Sequence, residues 1–299
     1  MQYNSVNRYL KEKYGRKIYK IAIDGGFTCP TRDGTKGFGG CIFCSQYGSG
    51  DYAGDRKKSI YMQIEEGKNK VKKKINDDEA KYIAYFQAFT STYDSVDILE
   101  ELYMEAINHP DIVGVSIGTR PDCLGKDIID LLDRLNRIKP IWVELGLQTI
   151  HDESAKYIRR GFSLGEYDVA VNNLYNIGIE QIITHLIVGL PFEDKEMILD
   201  SVRYVNESKS NGIKLQLLHV LENTDLADEY RNNKFKLLSQ DEYTDIIVDA
   251  LNILDDDMIV HRVTGDGNRK ELVGPLWSLH KWDVLNEINS KLKGNISKR

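Results

Sequence analysis

Short apolar runs alternate with longer stretches in which apolar residues recur every three or four positions, over most of the chain. Six runs read as strands: IYKIAID (18–24), YIAYFQA (82–88), IVGVSIG (112–118), IWVELGL (141–147), EQIITHLIVG (180–189) and IKLQLLHV (213–220). Each is rich in Ile, Val, Leu or Tyr and is bounded by Gly, Pro, Asp or Asn, which favour turns. Between them lie helical patterns. Residues 95–109 place Val96, Leu99, Leu102, Tyr103 and Ala106 on one face, and residues 126–138 do the same with Ile128, Leu131, Leu132 and Leu135. Residues 194–208 follow with Met197, Ile198, Val202 and Val205, again at a helical period.

Strands alternating with helices predict parallel βαβ units with right-handed crossovers. Near-continuous apolar strands fit a sheet covered by helices. Such units can close into a barrel, stay partly open or lie flat, and periodicity does not choose. In every case chemistry collects beyond the C-terminal strand ends. Residues 221–299 read as a loop, a helix (239–254), a short strand (258–264) and a final helix (278–292). They are expected to form an extension packed over the mouth of a unit spanning 1–220, not an independent domain.

Composition adds limits. With 299 residues, 41% hydrophobic and 29% charged, the chain is long enough to bury a core without disulfides. The polar, basic N-terminus lacks a signal-peptide core, and no apolar run approaches the about 20 residues that cross a bilayer. A cytoplasmic protein with no membrane partner is expected. A net charge of −6 supplies no global attraction to nucleic acid. Two basic stretches stand out locally: Arg8, Lys11, Lys13, Arg16, Lys17 and Lys20, then KNKVKKK from Lys68 to Lys74. Such runs either meet phosphates or form solvated faces.

Three of the four cysteines change the picture. Cys29, Cys41 and Cys44 follow the first predicted strand, spaced Cys-x11-Cys-x2-Cys. In a cytosolic chain this clustering points to metal or redox chemistry. Thiolates suit iron–sulfur clusters and zinc. The intervening PTRDGTKGFGG carries Gly34, Gly37, Gly39 and Gly40, which let the backbone approach a cluster closely. A cubane normally takes four thiolates, so three leave one iron open for catalysis. The competing reading is a closed zinc site, with Cys123 as the available fourth ligand.

The passage IDGGFTCPTRDGTKGFGGCIFCSQYGSG, followed by GTRPDCL, resembles radical SAM enzymes, and specifically the YtqA/YhcC-like family, over essentially the whole chain. The long gap between the first two cysteines differs from the superfamily's commonest spacing. It is similar to that in the radical SAM half of the Elongator catalytic subunit. The resemblance implies a partial (βα)6 barrel of the TIM type with a [4Fe–4S] cluster on Cys29, Cys41 and Cys44. It also implies that S-adenosylmethionine (SAM) chelates the open iron. One-electron reduction, from a donor such as flavodoxin or ferredoxin, would release a 5′-deoxyadenosyl radical that abstracts a substrate hydrogen.

The same resemblance carries over individual residues. Phe43 falls beside the SAM adenine, and Thr90 falls where a glycine-rich amino-group motif sits, with Gln87, Ala88 and Phe89 replacing its glycines. Gln148 matches a polar position at the end of strand four. Arg160, twelve residues on, matches an arginine expected to pair with the SAM carboxylate, and His185 a polar position near the ribose. Gly189, Leu190 and Pro191 form an adenine-side turn. Arg120, Asp122, Glu144, Gln216, His219, His261 and Arg262 are substrate-side candidates, and Cys123 is either a second radical-site residue or an inert buried thiol. The implied substrate is wobble uridine in tRNA, converted from carboxymethylaminomethyluridine to aminomethyluridine. Alternatives are a small metabolite or tetrapyrrole-like substrate, and a non-catalytic zinc or iron–sulfur module that binds RNA. No Ser-His-Asp order, Walker loop or His-Glu-x-x-His motif supports hydrolase or nucleotidase chemistry.

Overall fold

The computed structural model describes residues 3–48, 50–73 and 79–296. The chain opens with α1 (Val6–Tyr14), β1 (Ile18–Ile23), α2 (Ile60–Lys72), β2 (Lys81–Phe86), α3 (Val96–Ile107) and β3 (Ile112–Thr119). It continues through α4 (Lys126–Asn136), β4 (Ile141–Gln148), α5 (Asp152–Tyr157), α6 (Leu164–Asn176), β5 (Gln181–Val188), α7 (Lys195–Glu207) and β6 (Gly212–Leu217). The remainder holds β7 (Val220–Leu221), α8 (Asp225–Arg231), α9 (Gln240–Ile253), β8 (Ile259–Arg262), β9 (Leu272–Gly274) and α10 (Lys281–Ile296).

Seven strands form one parallel sheet in the order β1-β2-β3-β4-β5-β6-β8, curled into a half-barrel. The seventh strand refines the expectation drawn from the sequence. The short strand near residue 260 lies within the sheet, with Gly212 opposite Ile259 and Ile213 opposite Val260. Without it the β6 edge would leave unpaired N–H and C=O groups. β1 and β8 are the outermost strands, with Ser5 bridging to Val260 on the β8 side, and the barrel stays open along one side.

Alternation along each strand sorts side chains between two layers. Outward residues such as Ile23, Phe86, Val115, Val143 and Leu186 meet Tyr103, Leu131, Tyr167 and Val202 from the covering helices in one large core. Inward, the end of the barrel at the strand N-termini is closed by Ile18, Ile83, Trp142 and Ile183, with Leu10 of α1 packed among them. Ser5 accepts a hydrogen bond from the Arg8 amide to start α1, and the Tyr9 ring rests 6.2 Å from Trp142. The helix thus plugs the end opposite the cysteines.

That placement also disposes of the two basic stretches. Arg8 pairs with Glu12, Lys13 with Glu180 and Arg16 with Glu79. Lys20 turns inward to Glu144, and Lys68 bridges Glu65 and Asp111. Lys74 lies outside the described residues. α1 and the end of α2 sit at the plugged end, so the described residues of these stretches do not border the mouth.

Candidate active site

The loop after β1 folds back on itself through short-range bonds. The Arg32 and Asp33 amides donate to the Cys29 carbonyl, the Lys36 amide to that of Pro30, and the Gly40 amide to that of Thr31. Gly40 sits at φ +80°, and a Cβ there would lie 2.8 Å from Arg32 Nε. The bare backbone lets the Arg32 guanidinium lie along the loop and donate to the carbonyls of Cys44 (3.2 Å) and Ser45 (2.6 Å). The Cys44 amide donates to the Cys41 carbonyl at 3.0 Å, which puts both thiols on one tight turn.

The three sulfurs face one space. Burial pushes the Cys41 thiol up to about 12, helped by the charge of Cys44, and the Cys29 thiol is raised by burial, with Cys44 adding to it. Burial also raises Cys44, while Arg32 opposes it, and Arg120 opposes the shift at Cys41 and Cys29. Thiolates held this way need a positive partner, and a metal core inverts the local preference outright. The sulfurs do not gather within 4.8 Å of one another; among the described residues only Glu65, His109 and Asp111 place three ligand atoms that close. A tetrahedral zinc with bonds of about 2.3 Å would hold thiolates about 3.8 Å apart. The three sulfurs are therefore farther apart than a single closed zinc would hold them. The Glu65 trio is already satisfied, since His109 Nε2 meets Glu65 at 2.9 Å and Lys68 neutralises both carboxylates.

Around the sulfurs stand the other residues singled out in the sequence. Fully buried Thr90 donates its hydroxyl to Cys29 Sγ at 2.9 Å. Before it, Phe89 adopts φ +59°, a conformation that normally favours glycine. The Phe89 ring lies against Gly48, where a Cβ would come within 2.3 Å, and is flanked by Arg32 and Arg56 at 5.4 Å each. Phe43 is half-buried against the cluster containing Ile42, Ile158 and Leu190. Gln148, at φ +67°, buries an Oε1 that has no hydrogen-bond partner. A buried acceptor left so costs about 1–3 kcal/mol, and a ligand ammonium or hydroxyl would satisfy it.

Arg160 is placed differently. Its guanidinium donates through Nη1 to the carbonyls of Leu147 and Thr149, and through Nε and Nη2 to that of Phe162. These contacts fasten the end of β4 to the loop before α6. Arg120 is the arginine of the GTRPD sequence and acts on the sulfurs electrostatically; Asp122 grips its Nε and Nη2 at 3.0 and 2.9 Å. Cys123 lies near Cys29, its thiol pushed up to about 12 by burial and Asp122.

His185 belongs to a layer below the mouth. Its Nε2 meets Glu144 Oε2 at 2.8 Å and its Nδ1 meets Gln216 Nε2 at 3.2 Å. Burial, with Lys214 beside it, pushes this imidazole down to about 4, so it is neutral. Glu144 is the hub. Lys20 and Ser116 donate to its Oε1 at 2.6 and 2.7 Å, and Lys214 donates to its Oε2. His261 Nε2 meets Gln181 Oε1 at 3.0 Å, His219 Nε2 meets Ser278 Oγ at 3.2 Å, and Arg262 pairs with Asp266 at 3.0 Å. Lys20, Lys214 and Arg32 were not among the sequence candidates. A lysine at an inward position of an apolar strand was the available signal for the first two, because lysine is almost never fully buried without a partner.

The donor set thus fits the cofactors that the resemblance implies: three thiols on one loop and a buried acceptor at Gln148 with no partner in the chain. Cys29, Cys41 and Cys44 would hold the cluster, with Thr90 bonded to one sulfur.

Comparison with known proteins agrees. Residues 34–205 match the model of the radical SAM superfamily and residues 210–294 that of the radical SAM C-terminal domain. The Bacillus subtilis protein YtqA is 45% identical over 292 residues, covering 98% of this chain and 90% of that protein. A tRNA uridine(34) acetyltransferase of Methanocaldococcus jannaschii is 29% identical over 145 residues, 48% of this chain and 26% of that protein. Among solved structures, the archaeal Methanocaldococcus infernus Elp3 with an N-terminal deletion superposes with a TM-score of 0.68 at 18% identity, covering 92% of this chain and 63% of that one. That likeness shows the fold.

Proposed function

The chain belongs to the radical SAM superfamily, and from that premise we propose that it acts on wobble uridine in tRNA, converting carboxymethylaminomethyluridine to aminomethyluridine. The cluster and SAM, when bound, supply a carbon-centred radical after one-electron reduction by a donor such as flavodoxin or ferredoxin. The chain's own residues hold and shield that chemistry. Arg32 and Thr90 fix the cysteine loop, Gln148 offers an acceptor, and the helix-plugged barrel excludes water from below.

The observation that carries the RNA reading is the rim. Phe38, Phe192 and Trp282 hold side chains in solvent at 79%, 70% and 77% exposure. Phe38 lies in the cysteine loop and Phe192 just after β5, while Trp282 lies in the first turn of α10. Phe192 is held at φ +69°, a strained conformation for an aromatic residue. Trp282 shares a cleft of 470 Å³ with Tyr52 and Arg269. Exposed rings beside cations are what single-stranded RNA recognition uses, because every unstacked base offers a face to stack. A wobble base flipped from its loop would pass this rim to reach the sulfurs. The partial likeness to a tRNA uridine(34) acetyltransferase supports the same substrate.

The test is the tRNA nucleoside profile of a deletion strain, paired with the reconstituted protein acting on tRNA from that strain. Carboxymethylaminomethyluridine should accumulate at the expense of aminomethyluridine, and the protein with SAM and reductant should reverse this. An unchanged profile overturns the substrate and leaves the superfamily chemistry in place.

A further inference from the structure

Between the cysteines and the plugged end lies a layer in which two lysines share one carboxylate. Lys20 and Lys214 both donate to Glu144, which His185 also meets. Arg262, the next nearest cation, already has Asp266. Glu144 is fully buried, yet Lys20 and His185 keep 25% and 16% of their side chains exposed. Solvent therefore reaches this layer within the open barrel.

The next layer toward the sulfurs carries small residues on three strands, with the Tyr85 hydroxyl and the Gln148 side chain beside them. Ser116 and Glu144 point inward, so Gly118 and Gly146, two residues on along β3 and β4, share that face. Ala22 stands above Lys20 on β1 in the same way. A Cβ on Gly118 would come within 3.7 Å of the Tyr85 hydroxyl, and one on Gly146 within 2.5 Å of Gln148 Nε2. Tyr85 itself meets Lys214 Nζ at 3.4 Å. Three small residues thus roof a floor of two lysines and one glutamate.

We propose that this floor recognises a carboxylate of the substrate, with Lys214 and Lys20 as its cationic contacts and Glu144 holding the two ammonium groups apart. The inference deepens the tRNA reading, since the wobble modification proposed above ends in a carboxylate. With both lysines protonated the pair exceeds Glu144 by one charge, which matches a group carrying one negative charge. A phosphate would bring nearly two and invert the imbalance. Glu144 already shows that a carboxylate fits this pair, one oxygen to each lysine. Without an anion the second ammonium is held unfavourably, and burial pushes Lys214 down to about 7. An incoming carboxylate supplies the missing partner.

The test uses the reconstituted, SAM-loaded protein and N-methylglycine, the smallest secondary amine with a neighbouring carboxylate, followed by saturation-transfer NMR. Wild type should bind it, and N-methylglycinamide, which keeps the amine and lacks the carboxylate, should bind at least about tenfold more weakly, the difference one charge-assisted hydrogen bond makes. Lys214→Met should lose a similar factor, while leaving the neutral Lys20–Glu144 pair and an undiminished urea midpoint. Equal affinity for acid and amide, no change in Lys214→Met, or tighter binding of inorganic phosphate each overturns the proposal. A second arm compares turnover of tRNA bearing carboxymethylaminomethyluridine. If wild type does not convert this tRNA but binds N-methylglycine through Lys214, the substrate reading falls and carboxylate recognition stands. Equal KM for wild type and Lys214→Met sinks carboxylate recognition alone.

Discussion

Replacing Arg160 by methionine should unfold the cofactor-free protein more easily, before any question of catalysis arises. The guanidinium is 1% exposed, and four of its five N–H groups go to the carbonyls of Leu147, Thr149 and Phe162. Methionine fills a similar volume and leaves three acceptors without donors. Each costs about 1–3 kcal/mol when buried and unpaired. Removing a cation whose pKa burial has lowered offsets part of that loss. A net of about 4 kcal/mol is expected, and with an m-value of about 3 kcal/mol/M the urea midpoint should fall by about 1 M. Lysine, able to reach one or two of the carbonyls, should fall about half as far. The assay is urea unfolding followed by far-UV circular dichroism, with thiols reduced and no cofactor present. Suppose instead that the side chain's main partner is the SAM carboxylate, as the family resemblance implies. The cofactor-free midpoint would then stay within about 0.2 M of wild type, far less than one lost buried hydrogen bond produces, while SAM affinity falls. That result would refute the clamp.

Three further outcomes are expected. Gly40→Ala should cut iron and sulfide loading on anaerobic reconstitution, because its Cβ displaces Arg32; Gly15→Ala, at φ +67° with open space around it, should cost only about 1 kcal/mol of stability and leave iron content unchanged. His219 is pushed down to about 4 by burial, so from pH 6.5 to 4 the unfolded chain binds its proton first and stability falls with falling pH; His219→Gln should flatten the dependence of Tm on pH across that window by up to about one proton's slope, 1.4 kcal/mol per pH unit. Phe192→Ala should weaken tRNA binding by about tenfold, the loss of one stacked base, without changing its salt dependence, which a filter-binding titration at several salt concentrations would show.

The parts of this protein that were readable in its sequence are those where one local rule dominates. Strand positions follow the two-residue alternation and the turn residues that bound each run, so β1 through β6 lie where the apolar pattern put them. The Cys-x2-Cys turn and its glycines are legible for the same reason: the ligands sit on one short segment. α2 is hard to read because its buried face includes Gln63 and Lys68, which break an apolar stripe, whereas α6 keeps a helical stripe of Tyr167, Ala170, Val171 and Leu174 that the sequence does display. β8 was taken for part of a cover because a four-residue strand carries too little pattern to show which edge it joins. Arg160 is harder still. A spacing of twelve residues from Gln148 marks the position but not the direction of the side chain, and three carbonyls that exist only in the folded loop decide that direction. The Lys20–Glu144–Lys214 floor lies between these extremes. Its members are 124 and 70 residues apart in sequence, so no local rule joins them. Yet the sheet order, once known, fixes which strand positions face inward, and three charges on inward faces of parallel strands must find one another, because isolated burial would cost each of them far more than pairing.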